Sequence, residues 1–183
     1  MYTNTGDGGL SLMTSLAFTN GSALVALDLN ADGLMDLAVT DGTPGAPRLR
    51  VFLSSGNGIV QAASLALPSP ASDLVAGDVD EDGVPEVVVA CREAAQLRIY
   101  RSVGGVLELG AEVPAVRPMA VAVGSLFPPQ PQGLTYVSDA GHVESVYEEA
   151  SVRTLFRTSG QAFQEDPRNP VENVSWHDAQ TFI

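Results

Sequence analysis

Two short stretches place oxygen-bearing side chains at every second position, a pattern suited to gripping a hard cation. In the first, Asp28, Asn30 and Asp32 alternate with apolar residues, Gly33 follows, and Asp36 closes the run. In the second, the same positions carry Asp78, Asp80, Asp82, Gly83 and Glu86. Calcium takes roughly six to eight oxygens at about 2.3–2.6 Å, and ligands at alternate positions converge when the chain curls. One expected ligand set is the side chains of Asp28, Asn30 and Asp32 with the backbone carbonyl of Leu34, closed by Asp36 directly or through water. The other is Asp78, Asp80, Asp82, the carbonyl of Val84, and Glu86. Gly33 and Gly83 stand where a sharp turn demands backbone angles costly to a residue with a Cβ.

Repulsion argues for a cation. Two carboxylates about 4 Å apart near a surface repel by about 4 kcal/mol at an effective dielectric near 20. Three or four such groups in so short a loop would splay without a counter-charge. The plainer reading is an Asx and glycine turn with solvated acids; its recurrence at equivalent points favours metal. Magnesium fits less well, because it prefers few protein ligands and retained water. Seven carboxylates stand at the ligand positions of these loops, and two divalent ions would bring the formal charge from −13 to −9. Neither loop is an EF-hand: the twelfth position is Val39 in one and Val89 in the other, and each loop runs into apolar, strand-like sequence.

The elements that must hold these loops recur too. Leu27–Val39 aligns without gaps on Gly77–Val89, 50 residues on. A later strand repeats as Leu49-Arg50-Val51-Phe52, Leu97-Arg98-Ile99-Tyr100 and Glu144-Ser145-Val146-Tyr147. Tyr2 with Asn4-Thr5-Gly6-Asp7-Gly8 matches Phe52 with Ser54-Ser55-Gly56-Asn57-Gly58. The spacing predicts four strands per unit, in the first at about Ala23–Asp28, Asp36–Thr40, Leu49–Leu53 and Val60–Leu67. Four-stranded units at this period are the sequence sign of propeller blades. The expected fold is all-β: a partial β-propeller of about three four-stranded antiparallel blades, with a short irregular or helical C-terminal tail. Residues 1–20 would be the tail of a preceding blade, 21–69 and 70–116 two blades, and 117–157 a degenerate one. In the last, Met119–Gly124 and Gly133–Ser138 keep the strand frame, while Ser125–Gln132 between them carries no acid.

The motif Asp-x-Asn-x-Asp-Gly-x-x-Asp before an apolar strand resembles FG-GAP (VCBS-type) repeats, the blades of integrin-α-like propellers, over residues 1–157. The resemblance implies that the loop residues of the first two units bind calcium, and that the third unit does not. It also implies an extracellular or cell-surface setting and a binding or adhesion role toward a protein or carbohydrate ligand. From about Gly160 the pattern stops. Pro170-Val171-Glu172-Asn173-Val174-Ser175-Trp176-His177-Asp178-Ala179 resembles a segment of formylglycine-generating-enzyme (sulfatase-modifying factor) domains, with Ser175 as a helix N-cap. Residues 158–183 therefore read as a linker and the start of such a segment. The alternative function is the non-catalytic front part of a protein of that type.

The chain as a whole narrows the classes. With 45% hydrophobic and 17% charged residues it should fold rather than stay disordered. A charge of −13 repels phosphate backbones and anionic lipid, which argues against nucleic-acid and membrane-surface partners. No apolar run is long enough for a membrane helix. The N-terminal residues lack the basic and apolar segments of a signal peptide. Cys91, the single cysteine, sits in the run Val87-Val88-Val89-Ala90 and reads as a buried, inert thiol. His142 reads as a turn residue and His177 has no ligand partners at suitable spacing, so no catalytic residues are expected. Three blades are fewer than the usual four to eight or so of a closed ring, so blades of a longer chain or of other copies are expected at the open sheet faces.

Overall fold

The computed structural model describes residues 2–7, 9–12, 15–18, 20–124, 133–146 and 152–157. The described residues form strands and turns only. A short hairpin of β1 (Tyr2–Asn4) and β2 (Leu10–Leu12) comes first. Three four-stranded antiparallel sheets follow. The first contains β3 (Gly21–Leu27), β4 (Asp36–Asp41), β5 (Arg48–Ser55) and β6 (Gly58–Ala66). The second contains β7 (Asp73–Gly77), β8 (Glu86–Cys91), β9 (Gln96–Val103) and β10 (Val106–Pro114). The third contains β11 (Pro118–Gly124), β12 (Gly133–Ser138), β13 (His142–Val146) and β14 (Val152–Arg157). Within each sheet the strands lie side by side in chain order. This is the all-β, partial-propeller arrangement that the repeat predicts.

The strands form where β-branched and aromatic residues alternate between glycine- and aspartate-bearing turns. In the first sheet their ends differ from the sequence reading by at most two residues. β3 begins at Gly21 and stops at Leu27, leaving Asp28 in the loop, and the β5–β6 hairpin pairs out to Ser55 and Gly58. The β1–β2 hairpin forms a separate two-stranded sheet ahead of the first four-stranded one.

Blades of this kind are held by stacked faces rather than by shared strands. β8 is buried along its whole length and serves two cores at once. Val87, Val89 and Cys91 join Leu49, Val51 and Leu74 between the first and second sheets. Val88 and Ala90, on the opposite face, join Leu97, Leu134 and Tyr136 between the second and third. A strand buried on both faces reads as a continuous apolar run, which is the sequence Val-Val-Val-Ala-Cys. Burial pushes the Cys91 thiol up to about 11, so it stays protonated and unreactive, as its position in that run implies.

The innermost strands adjoin, with β7 beside both β3 and β11. Two serines one repeat apart pin these neighbours together. Ser22 Oγ lies 3.2 Å from the carbonyl of Ala71, and Ser72 Oγ lies 2.6 Å from the carbonyl of Pro118. The Asp73 carboxylate adds a third link, accepting the Val121 amide at 2.9 Å. Outer hairpins contribute as well: the Ser102 hydroxyl, on β9, donates to the Leu29 carbonyl of the first unit's acidic loop at 2.5 Å.

Candidate metal centre

Each acidic loop bridges the first two strands of its sheet at the same end. Leu27 pairs with Asp36 and Gly77 with Glu86, so the closing acid is the first residue of β4 or β8. The backbone takes the same course in both. Gly33 and Gly83 have φ of +84° and +87°, as their places in the motif require. Ala31 and Glu81 also stand in the left-handed region, each with φ of +59°. That conformation costs a residue with a Cβ about 1 kcal/mol. Its appearance at matching points of both loops shows that the loop shape, not the residue type, dictates it.

In the first loop the side chains close on the backbone. Asp28 accepts the amides of Asp32 at 3.2 Å and Gly33 at 2.8 Å. Asn30 Oδ1 accepts the Asp32 amide at 3.1 Å, and Asp32 accepts the Leu34 amide at 2.8 Å. The Leu34 side chain itself points to solvent. Asp36 is fully buried (0% exposed), with both oxygens engaged. It accepts the Leu29 amide at 3.0 Å and the Ser54 amide, from β5, at 2.7 Å.

The second loop repeats the plan with differences. Asp78 accepts the Gly83 amide at 2.9 Å and Asp82 the Val84 amide at 2.8 Å, while the Asp80 bond to the Asp82 amide is long, at 3.4 Å. The side chain of Val84, like that of Leu34, is exposed. Glu86, 2% exposed, accepts the Val79 amide at 2.8 Å. Burial, and then the negative charges of Asp80 and Asp82, hold its carboxyl above the usual carboxylate range.

The structure thus gathers the residues singled out in the sequence into two loops, but not equally. Asp78, Asp80 and Glu86 each offer a carboxylate oxygen within 4.8 Å of the others. Asp82 stands outside that trio and acts on Glu86 through its charge. The first loop gathers no such trio of carboxylates, since an amide, Asn30, occupies the position of Asp80. A cation fits the second loop on one further observation: Asp78 Oδ1 is buried and has no hydrogen-bond partner. A desolvated carboxylate oxygen is costly unless something positive meets it. All-oxygen donors suit calcium rather than a thiolate- or imidazole-seeking metal.

One participant escapes a reading of the loops alone. Arg101, on β9, reaches Asp80 Oδ2 at 2.8 Å and approaches Glu86 Oε1 at 3.9 Å. Fifteen residues separate it from Glu86 in sequence, so only the β8–β9 register brings it to the loop. His142 opens β13 instead of sitting in the preceding turn, which is a correction to the sequence reading. Its Nδ1 lies 3.8 Å from the buried Glu144, whose other oxygen takes the Tyr136 hydroxyl proton in a hydrogen bond. The acid-free segment 125–132, Tyr147, and the enzyme-like segment with Ser175, Trp176 and His177 lie outside the described residues.

Comparison with known proteins agrees with this architecture. Residues 28–89, which take in both acidic loops, match the family model described as an FG-GAP-like repeat. Integrin alpha-IIb of Mus musculus is 33% identical over 94 residues, covering 45% of this chain and 9% of that protein. Integrin alpha-IIb of Homo sapiens is 34% identical over 94 residues, with the same coverage of each chain. The match therefore spans less than a tenth of these relatives' length. Together with the stacked four-stranded sheets, these similarities support a β-propeller repeat module. No helix among the described residues is long and apolar enough to cross a membrane.

Proposed function

We propose that this chain is a calcium-binding β-propeller segment, with one ion in each acidic loop. Asp28, Asn30, Asp32, Asp36 and the Leu34 carbonyl would hold the first ion. Asp78, Asp80, Asp82, Glu86 and the Val84 carbonyl would hold the second. The observation that carries this reading is the partnerless, buried Asp78 Oδ1 beside Asp80 and Glu86, in a loop whose shape is copied one repeat earlier. Calcium here is structural. When bound it supplies positive charge to the converging oxygens, while the chain's own amides fix the loop and its strands fix the rim. The rim formed by such loops would meet a protein or carbohydrate ligand at the cell surface or outside the cell, and further blades would complete the ring. Similarity to integrin alpha chains supports that setting.

The test is thermal unfolding. Millimolar calcium should raise the melting temperature of the chain by several degrees, because a ligand that binds only the folded state stabilises it by mass action. Asp32→Ala with Asp82→Ala should remove that rise. An identical melting curve in calcium and in chelator contradicts the proposal.

A second reading rests on the Pro170–Ala179 string: the segment would stand in front of a formylglycine-generating-enzyme-like domain and would be non-catalytic itself. Reading the coding sequence downstream of Ile183 decides between them. A cysteine-bearing α+β domain supports this reading, and further repeats refute it.

A further inference from the structure

We propose that Arg101 is a tethered counter-cation of the second acidic loop, standing in for part of the metal's charge and competing with it, so that the two loops respond to calcium at different concentrations. The inference rests on the calcium reading above. The guanidinium forms an ion pair with Asp80 Oδ2 at 2.8 Å and its Nε lies 3.9 Å from Glu86 Oε1, which makes it a partner of two of the three converging carboxylates.

The strand opposite makes room for it. Gly110 is the extra residue in the β-bulge between Leu109 and Ala111, and a Cβ there would sit 3.1 Å from both Cγ and Cδ of Arg101. That is tighter than ordinary van der Waals contact, so the arginine stem packs closely over the glycine and would have to shift by a few tenths of an ångström to admit a Cβ. The first unit has the same bulge, with Ala62 as the extra residue and Leu53 in the arginine's place. Arginine and glycine thus occur together in one unit and are both absent from the other.

The closing acids differ to match. Both oxygens of Asp36 are taken by backbone amides, the second by Ser54. Glu86, one methylene longer, receives the Val79 amide on one oxygen and presents the other toward Arg101. Among the described residues, no basic side chain forms an ion pair with Asp28, Asp32 or Asp36. The first loop therefore has no built-in counter-charge, whereas the second has one at hand. Arg101 is 53% exposed, so water screens the pairing and the guanidinium can swing away when a divalent ion enters.

The test titrates calcium into the full chain carrying Asp32→Ala, which silences the first loop, and follows binding heat with Arg101 intact or replaced. Arg101→Gln should tighten binding at the second loop by about three- to tenfold, and Arg101→Lys should restore most of the original affinity. Melting supplies an independent readout with the opposite sign. In chelator, Arg101→Gln should lower the melting temperature, because Asp80 and Glu86 lose their partner; in saturating calcium it should not. Unchanged or weaker calcium binding in Arg101→Gln overturns this proposal while leaving the calcium reading intact. If the Asp32→Ala chain takes up no calcium with either residue at 101, both fall together.

Discussion

At the scale of single residues, the two closing acids show what the acidic loops must solve. Asp36 is buried yet satisfied by two amides, whereas Glu86 is buried with one amide, a distant guanidinium and two negative neighbours. Its folded-state pKa stands above the ordinary 4.5, so folding favours the protonated form. The sign follows from linkage: the metal-free protein gains stability from Glu86 at low pH and loses it as pH rises from the ordinary glutamate value through the raised one. Calcium bound as proposed would reverse this, because it would take the ionised carboxylate and acid would displace it. Glu86→Gln should therefore raise the melting temperature in chelator at neutral pH by a few degrees, and diminish the rise produced by calcium. A lower melting temperature in chelator would contradict the raised pKa. The alternating acids and the glycines were legible in the sequence because side-chain chemistry and turn geometry are local properties. The left-handed Ala31 and Glu81 were not, since nothing in those residue types announces the conformation. Arg101 was invisible for another reason: its partnership exists only once β8 and β9 are in register.

At the scale of elements, the strand frame was legible almost throughout, because apolar alternation between turns is a strong signal. The Val87–Cys91 run read as apolar strand with a buried thiol, and the structure places it between two cores. Strand ends were less legible, since pairing in the hairpins extends into polar residues such as Ser54 and Ser55. The inter-sheet serines were present in the sequence at one repeat's spacing, but a hydroxyl in a strand carries no sign of what it meets. Their role is testable. Ser72→Ala leaves the Pro118 carbonyl without that donor at a part-buried junction, and should cost about 1–2 kcal/mol in denaturant unfolding. The exposed Ser55, whose hydroxyl bonds only within its own hairpin turn, serves as the comparison and should cost less when changed to alanine. Equal costs would show that the hydroxyl at 72 does not hold the sheets together.

At the scale of the whole molecule, three sheets stack face to face and the middle one is shielded on both sides, while the first leaves Leu24 of its inner strand 66% exposed. Such a stack derives its stability from interfaces between neighbours, with loops at one rim and hairpins reaching across to them, as Ser102 does to Leu29. The sequence revealed the repeat, and with it the blade architecture, because each unit copies the last. It showed an amide, Asn30, where the second loop has Asp80, but it could not reveal the counter-charge at Arg101, which lies on another strand. The central claim is that these loops exist to hold calcium. Calorimetric titration of the full chain counts the ions directly: the account predicts two bound calcium ions, one in Asp32→Ala, one in Asp82→Ala and none in the double variant. A chain that binds none, or whose uptake ignores both substitutions, contradicts it.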